Sequence, residues 1–473
     1  MIRKWLIGGG ILIVAGYLGV AGYIYMTDIA RSDALISGEK QLTNQSSLPV
    51  SNTKITNQQI NHLLYQKGCD YCHTGSASLP FYAAIPGVKQ LMAYDIQQGS
   101  QYFSLEPTLL AITENRAVPE ADLAKIESAI AREQMPPQRF AVLHWASSVN
   151  AEERNQILDW VKSQRAEYFP STSSRELQHL TLQPLPDALP VDSKKVALGS
   201  RLFHDPRLSS DNTVSCASCH LLTKGGVDNL ATSTGVDGQK GGINAPTVFN
   251  AVFNVNQFWD GRAVDLQQQA GGPPLNPVEM ASASWDDIIG KLQQDAQLTQ
   301  EFIQVYPQGY SEHNITDAIA EFEKTLTTPK SPFDRYLKGD ADALTASQKN
   351  GLALFQKNKC DTCHVGKNIG GQSYELMGLK GNYFADRSKE LTADDQGRFN
   401  VTKDPRDMHR LKTPGLRNIA LTAPYFHDAQ AENLNQAVEM MLKYQVGTSL
   451  PPQDINDIVA FLESLTGEYI PHQ

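Results

Sequence analysis

Three copies of one short motif contain every cysteine in this chain and restrict its fold more than any other feature. The chain has six cysteines in 473 residues. They occur as Cys-x-x-Cys-His in Cys69–His73, Cys216–His220 and Cys360–His364. Each copy can hold one haem c through two thioether bonds, with its histidine bound to the iron. Disulfides or zinc are the alternatives, but such closely spaced cysteines cannot join distant segments, and zinc needs further ligands at zinc-finger spacing.

The sequence therefore predicts three covalently bound haem c groups. The predicted attachment residues are Cys69, Cys72, Cys216, Cys219, Cys360 and Cys363, and the predicted iron ligands are His73, His220 and His364.

Amphipathic segments on both sides of each motif predict a mainly α-helical fold. Thr56 with Gln59, and Thr345 with Gln348, are typical of capping boxes at helix starts. Apolar residues at helical spacing follow them and recur after each motif. We therefore predict three cytochrome-c-like haem domains in tandem behind one N-terminal transmembrane helix. The predicted boundaries are an anchor at 1–28, a polar tether at 29–55, an N-terminal monohaem domain at 56–168, a Pro-rich linker at 169–192, a second haem domain at 193–340 and a third at 341–473.

The N-terminus predicts a membrane location. Arg3 and Lys4 precede an uncharged run from Leu6 to Met26, which is long enough to cross a bilayer as a helix. Positive charge before the run favours a cytoplasmic N-terminus, so we expect a single-pass inner-membrane protein with its haem domains in the periplasm. A cleaved signal peptide is the alternative, although no clear Ala-x-Ala site follows the run.

Charge excludes one class of partner. The net charge is −10, the sequence pI is about 5.6, and no basic cluster occurs beyond the N-terminus. A surface that follows nucleic-acid phosphates needs such a cluster, so we expect no nucleic-acid partner.

The sixth iron ligand of the first motif is not fixed by spacing, because Met92 and Met135 are both available. Met135 lies in a Met-Pro-Pro turn before His144 and Trp160. With Tyr71-Cys72-His73 and Pro80-Phe81-Tyr82, this pattern resembles a small bacterial haem-binding domain. The resemblance implies ligation by His73 and Met135, with Met92 as the alternative.

From Ala197 to Gly467 the chain resembles the bacterial dihaem cytochrome c peroxidases. The matching motifs include Asp205-Pro206-Arg207-Leu208-Ser209, Asn244-Ala245-Pro246-Thr247, Gln257-Phe258-Trp259-Asp260-Gly261-Arg262, Glu279-Met280 and Leu416-Arg417-Asn418. With the extra motif and the predicted anchor, the whole chain is similar to the trihaem, membrane-anchored branch described as quinol peroxidases. This resemblance implies reduction of hydrogen peroxide to water, with a membrane quinol or a small redox protein as electron donor.

The resemblance also implies residue roles. The haem on His220 would be peroxidatic, and the haem on His364 would transfer electrons with Met441 as its second ligand; the adjacent Met440 remains an alternative. Glu279 and Gln269 would be the distal catalytic pair, and Trp259 would lie between the two haems. Without the resemblance, Glu279 reads as a solvated loop residue and Trp259 as a core aromatic.

Calcium is a further implied cofactor. The side chain of Asn244 and the backbone carbonyls of Thr422 and Pro424 match the calcium ligands of the family, and oxygen donors suit this ion. From the sequence alone, both segments are ordinary turns.

Val236 departs from the family pattern. It occupies the place of a histidine that caps the resting peroxidatic iron in many members, and valine cannot bind iron. We therefore expect that iron to lack a protein sixth ligand. Two other functions remain open: a trihaem electron carrier without peroxidase activity, and a cofactor-maturing dihaem enzyme. The maturing enzymes carry Tyr where this chain has Met441.

Overall fold

The structure is a computed structural model that describes residues 14–30, 55–387 and 389–471. It contains two compact units, Met1–Pro170 and Ser171–Gln473. Both are built mainly from α-helices, which confirms the predicted fold class at that level. The predicted polar tether at 29–55 falls almost entirely outside the described residues.

The first unit consists of helices around the first haem motif. Thr56 begins the second helix with the predicted capping box, since its side chain accepts from the Gln59 backbone N–H. The core contains Ile60, Leu123 and Trp160, each nearly inaccessible to solvent. The helices are α1 (residues 14–30), α2 (Asn57–Gln66), α3 (Cys69–His73), α4 (Val88–Tyr102), α5 (Glu106–Thr113), α6 (Glu120–Ala131), α7 (Gln138–Ala141) and α8 (Ala151–Tyr168).

The second unit contains the other two motifs and one small sheet. Its helices are α9 (Ser193–Phe203), α10 (Cys216–Cys219), α11 (Leu266–Ala270), α12 (Trp285–Leu292), α13 (Ala296–Val305), α14 (Glu312–Glu323), α15 (Pro332–Leu337), α16 (Ala346–Lys357), α17 (Tyr383–Asp386), α18 (Phe399–Thr402), α19 (Leu434–Met441) and α20 (Pro452–Glu463). Strands β1 (Tyr374–Leu376) and β2 (Arg410–Lys412) pair antiparallel, with Glu375 opposite Leu411.

Two helix pairs in this unit repeat the same close crossing. A Cβ atom at Gly199 of α9 would lie 1.8 Å from the carbonyl oxygen of Ala318 in α14. A Cβ atom at Gly351 of α16 would lie 1.9 Å from the carbonyl oxygen of Asp457 in α20. Only glycine permits backbones to approach this closely. One hydrophobic cluster surrounds each pair. The division into three tandem domains nevertheless stays a prediction.

The predicted inner-membrane location is wrong. Within the described residues, no helix has both the length and the apolar character that a membrane crossing requires. In the described part of the predicted anchor, α1, the apolar side chain of Ile24 packs beside Tyr82 and Met92. Asp28 of the same helix is buried and accepts a hydrogen bond from the Tyr71 hydroxyl at 3.2 Å. One face of α1, with Ala21, Ile24 and Asp28, thus packs on protein, while other apolar side chains such as Leu18 and Met26 are exposed. The start of the predicted anchor, residues 1–13, lies outside the described residues.

The predicted linker at 169–192 contains a buried segment. Leu182 and Leu185 are inaccessible to solvent, and Leu182 pairs with Gly366 just after the third motif. The Thr181 hydroxyl donates to the carbonyl of Asp361 at 3.0 Å. This part of the chain therefore packs on the third motif.

Candidate haem and peroxidase site

The three motif histidines share one geometry that suits iron ligation. The ring Nδ1 lies 3.0 Å from the Phe103 carbonyl oxygen in His73, 3.3 Å from that of Gly226 in His220, and 3.3 Å from that of Ile369 in His364. A ring that donates from Nδ1 to a carbonyl keeps Nε2 unprotonated for a metal. Burial lowers the pKa of all three rings, that of His364 to about 4, so the neutral form prevails.

The six cysteines are half-buried thiols. Burial raises the pKa of Cys69, Cys216 and Cys360 to about 12 and that of Cys72 to about 11, so these thiols are protonated at neutral pH. Two such thiols beside a histidine with an available Nε2 fit a haem c in each motif. When bound, the haem would be held by both cysteines and the histidine.

Glu279 lies beside the middle motif. Its negative charge contributes to raising the pKa of both Cys216 and Cys219, after the larger effect of burial. Its own pKa is raised by burial, while the positive charge of Arg262 and a hydrogen bond from Asn276 oppose this. The Asn276 amide donates to Glu279 Oε1 at 2.7 Å. The carboxyl group is therefore oriented, and it exchanges its proton at a higher pH than an ordinary glutamate does.

Val236 holds the backbone of Glu279 through a hydrogen bond. Its N–H donates to the Glu279 carbonyl at 2.8 Å, and its side chain is 3% exposed within the core around the middle motif. A Cβ atom at the preceding Gly235 would lie 2.4 Å from the same carbonyl oxygen. The Val236 loop is therefore an apolar support for the Glu279 segment.

Gln269 lies on α11 with its side chain half-buried. Its amide group makes no hydrogen bond within the described part of the chain, while its backbone N–H donates to Asp265 at 3.1 Å. The amide can therefore serve a ligand. The structure gives no direct contact between Gln269 and Glu279.

Trp259 is held at the meeting point of several segments. Its indole N–H donates to the Asn244 carbonyl at 2.9 Å, and its own carbonyl accepts from Lys412 of β2 at 2.8 Å. The indole lies edge-on to the His427 ring, with 6.2 Å between the ring centroids. The Asn244 N–H in turn donates to the His427 carbonyl at 2.8 Å.

The residues predicted to bind calcium lie on neighbouring segments. Asn244 is joined to His427 by its backbone, and its side-chain amide donates to the Leu230 carbonyl at 2.9 Å. The Asn229 amide holds the carbonyls that flank Thr422, those of Leu421 at 2.9 Å and Ala423 at 3.0 Å. Within the described residues the Thr422 and Pro424 carbonyls accept no hydrogen bond, so both can accept a cation. The calcium site stays a prediction.

The two candidate methionine ligands are both half-buried. Met135 precedes α7, and Met441 is the last residue of α19, next to the core cluster of Met377, Tyr383 and Tyr444. The alternatives differ: Met92 is buried in the cluster with Ile24, and Met440 contacts two clusters. The structure gives no distance from Met135 or Met441 to the corresponding histidine.

One buried charged cluster was not predicted. Asp395, His427 and Asp428 place one ligand atom each within 4.8 Å of one another. His427 Nε2 lies 2.8 Å from Asp395, and Arg387 pairs with both carboxylates. Although burial opposes it, hydrogen bonds from Arg387 hold the pKa of Asp395 far below its usual range. These residues are scattered in the sequence, so no motif indicates their contact.

Fold and site together define a mainly helical haem protein with c-type attachment motifs. Residues 193–342 match the family described as di-haem cytochrome c peroxidase, and residues 33–163 match that described as haem-binding domain. Cytochrome c peroxidase Ccp of Escherichia coli (strain K12) is 56% identical over 96% of this chain and 95% of that protein. Cytochrome c551 peroxidase of Pseudomonas aeruginosa is 45% identical over 60% of this chain and 84% of that protein.

Among solved structures, a MauG-like protein associated with microbial copper homeostasis is similar, with a TM-score of 0.53 and 29% identity. The similarity covers 60% of this chain and 93% of that chain. The chain therefore belongs to the dihaem cytochrome c peroxidase family, and it is a haem-binding peroxidase, as the sequence predicts.

Proposed function

We propose that this protein reduces hydrogen peroxide to water at a haem held by Cys216, Cys219 and His220. The position of Glu279 carries the proposal, because its charge reaches both cysteines of that motif and burial raises its pKa. When bound, the haem supplies the iron at which peroxide binds and the electrons that cleave its O–O bond.

Glu279 is the proton-transfer residue of this proposal. In its ionised form it takes the proton from the inner peroxide oxygen, and it returns that proton to the outer oxygen, which leaves as water. The Asn276 amide at 2.7 Å holds Oε1, so the other carboxylate oxygen can face the substrate. The Gln269 amide, which is unbonded in the described part of the chain, orients peroxide by a hydrogen bond.

Electrons reach this site through two further haems. We assign one to Cys360, Cys363 and His364 with Met441 as its second ligand, and one to Cys69, Cys72 and His73 with Met135. Trp259 lies on the route between the haems of the second unit, where its indole N–H donates to Asn244 and so fixes the ring, while the Lys412 N–H holds its backbone carbonyl. Calcium at Asn244, Thr422 and Pro424 holds the segment next to Trp259. The donor is a quinol or a small redox protein.

The test is Glu279→Gln, which preserves the size of the side chain and the hydrogen bond from Asn276. We expect peroxide consumption to fall by about 10²–10⁴-fold with full haem content. The control Glu301→Gln, at a half-exposed surface carboxylate that pairs with Arg201, should keep wild-type activity. Unchanged turnover in Glu279→Gln would show that this carboxyl group is not the proton-transfer residue.

The pH profile provides a second signature of Glu279. A base must be ionised, so wild-type activity should rise with pH through the raised pKa of Glu279, above the ordinary value of 4.5. This rise on the acidic side of the pH profile should be absent from the residual activity of Glu279→Gln. An identical rise in the variant would assign the titration to another group.

The haem count and the donor need separate measurements. Pyridine haemochrome analysis should give three haems per chain, and Cys69→Ala/Cys72→Ala should give two. The same variant should lose turnover with the natural donor but keep it with a small artificial reductant. Equal turnover with both donors would remove the first motif from the electron route.

A further inference from the structure

A buried carboxyl group, one oxygen of which is unpaired within the described residues, ends α14. Glu323 is 4% exposed, and its Oε2 has no hydrogen-bond partner within the described part of the chain. A buried polar atom normally finds a partner, because leaving it unpaired costs about 1–3 kcal/mol. Glu323 therefore needs an explanation beyond packing.

Glu323 lies beside the middle haem motif. After burial, its charge is the largest cause of the raised pKa of Cys216. The neighbouring Phe322 belongs to the same hydrophobic cluster as Cys216. Because the haem would be bonded to the Cys216 sulfur, a carboxylate charge that acts on this sulfur also acts on the edge of the haem.

The internal repeat shows that this helix position does not need a carboxyl group. A Cβ atom at Gly199 would lie 2.9 Å from Phe322 Cβ, and one at Gly351 would lie 2.8 Å from Phe461 Cβ. Phe322 and Phe461 therefore occupy equivalent positions in the two helix pairs, and so do the residues that follow them, Glu323 and Leu462. Leu462 is 5% exposed and packs in the core of its own helix pair. Of the two helix pairs, only the one beside the middle motif has a carboxyl group at this place.

The surroundings of Glu323 are poor in charge. Burial alone raises its pKa, to about 8. On α9, Lys195 pairs with Asp317, Arg201 pairs with Asp295 and Glu301, and Lys194 is exposed. On α14 and just after it lie Glu312, His313, Glu321 and Lys324, and Lys324 pairs with Glu321. The other titratable or charged groups around Glu323 are Asp265, which caps α11, and Cys216 and Cys219 of α10 with Glu279 beside them. None of them contributes to the pKa of Glu323.

We propose that Glu323 is a redox-linked proton site, which takes up one proton when the haem of the middle motif gains one electron. The inference rests on the proposed attachment of a haem at Cys216 and Cys219. The electron comes from the donor of the peroxidase reaction and the proton comes from water. The oxidised haem with the Glu323 carboxylate becomes the reduced haem with the Glu323 carboxylic acid, and reoxidation releases the proton.

The physical basis is the change of charge at a site of low dielectric constant. An oxidised haem carries one more positive charge and stabilises a nearby carboxylate, whereas a reduced haem does not. Proton uptake on reduction keeps the net charge of this buried region constant. It couples the reduction potential of the middle haem to pH.

The experiment is a spectroelectrochemical titration of the holoprotein between pH 6 and 8. One proton per electron changes the potential by up to 59 mV for each tenfold change in proton concentration. We expect the potential of the middle haem to fall with this slope in the wild type and to be nearly independent of pH in Glu323→Gln and Glu323→Leu. The matched control Glu463→Gln removes an exposed carboxylate next to Leu462 and should keep the slope.

Each result decides the proposal. A pH-independent wild-type potential, or an unchanged slope in Glu323→Leu, would overturn it. A slope lost in Glu279→Gln but kept in Glu323→Gln would assign the proton to Glu279 instead. Loss of the middle haem from both Glu323 variants would make this residue a structural one. A wild-type protein without a haem at Cys216 would contradict the proposed function itself.

Discussion

Arg417 offers a strong test of how the second unit is held together. Its side chain is fully buried and pairs with Asp334 of α15, Nη1 to Oδ1, at 2.9 Å. The guanidinium also donates to the Gln183 carbonyl at 2.8 Å, the Lys367 carbonyl at 3.0 Å and the Ser331 hydroxyl at 3.1 Å. One side chain thus joins the buried part of the predicted linker, α15 and the segment after the third motif.

Replacing Arg417 by Met should destabilise this unit by about 3–5 kcal/mol, because it leaves the carboxylate of Asp334 buried without its counter-charge. We expect the lower half of this range. Asp334 keeps hydrogen bonds from the Leu185 N–H at 3.0 Å and from the N–H and hydroxyl of Ser331 at 3.1 and 2.8 Å.

The assay is urea unfolding followed by far-ultraviolet circular dichroism and haem absorbance. The control is Arg335→Met, since Arg335 is 55% exposed and, among the residues that the structure describes, pairs only with Asp340. A surface pair of this kind contributes less than about 1 kcal/mol. If Arg417→Met costs no more than this control, the buried pair does not hold these segments together. The double variant Arg417→Met/Asp334→Leu should recover part of the loss, because it removes the unpaired charge.

Two further predictions follow from close contacts. Gly199→Ala should destabilise the α9–α14 pair by about 1–3 kcal/mol or more in the same urea unfolding assay, because the new Cβ would overlap the Ala318 carbonyl. The control Gly290→Ala in α12, where the Cβ meets nothing within 4 Å, should be neutral or slightly stabilising. Val236→His should convert the oxidised middle haem from high-spin to low-spin, which absorption and electron paramagnetic resonance spectra would report. An unchanged spin state in a folded Val236→His protein would mean that this loop cannot reach the iron.

The haem chemistry of this chain follows from its motifs alone. A covalent haem site needs only two cysteines and a histidine at fixed local spacing, so the sequence motif is enough to identify Cys216, Cys219 and His220. Helix starts such as Thr56 and apolar periodicity are equally local, and they predicted the mainly helical fold. Local spacing does not reveal long-range contacts. The approach of Glu323 to Cys216 and the burial of Leu182 beside the third motif have no signal in the sequence.

The N-terminal prediction failed for a related reason. An apolar run has the same composition whether it faces lipid or protein, and only tertiary packing shows that Ile24 lies against Tyr82 and Met92. The burial of Asp28, with its hydrogen bond from Tyr71, depends on residues far away in the chain.

The sequence by itself determined the cofactor chemistry, the helical class and the family, because these depend on residue identities at short, fixed spacings. Tertiary structure alone decided the state of the groups that we propose for this chemistry. The raised pKa of Glu279 comes from burial, the fixed ring of Trp259 from the Asn244 carbonyl, and the unpaired carboxyl group of Glu323 from the apolar core around it. Desolvation and hydrogen bonding are properties of surroundings that the chain assembles only by folding.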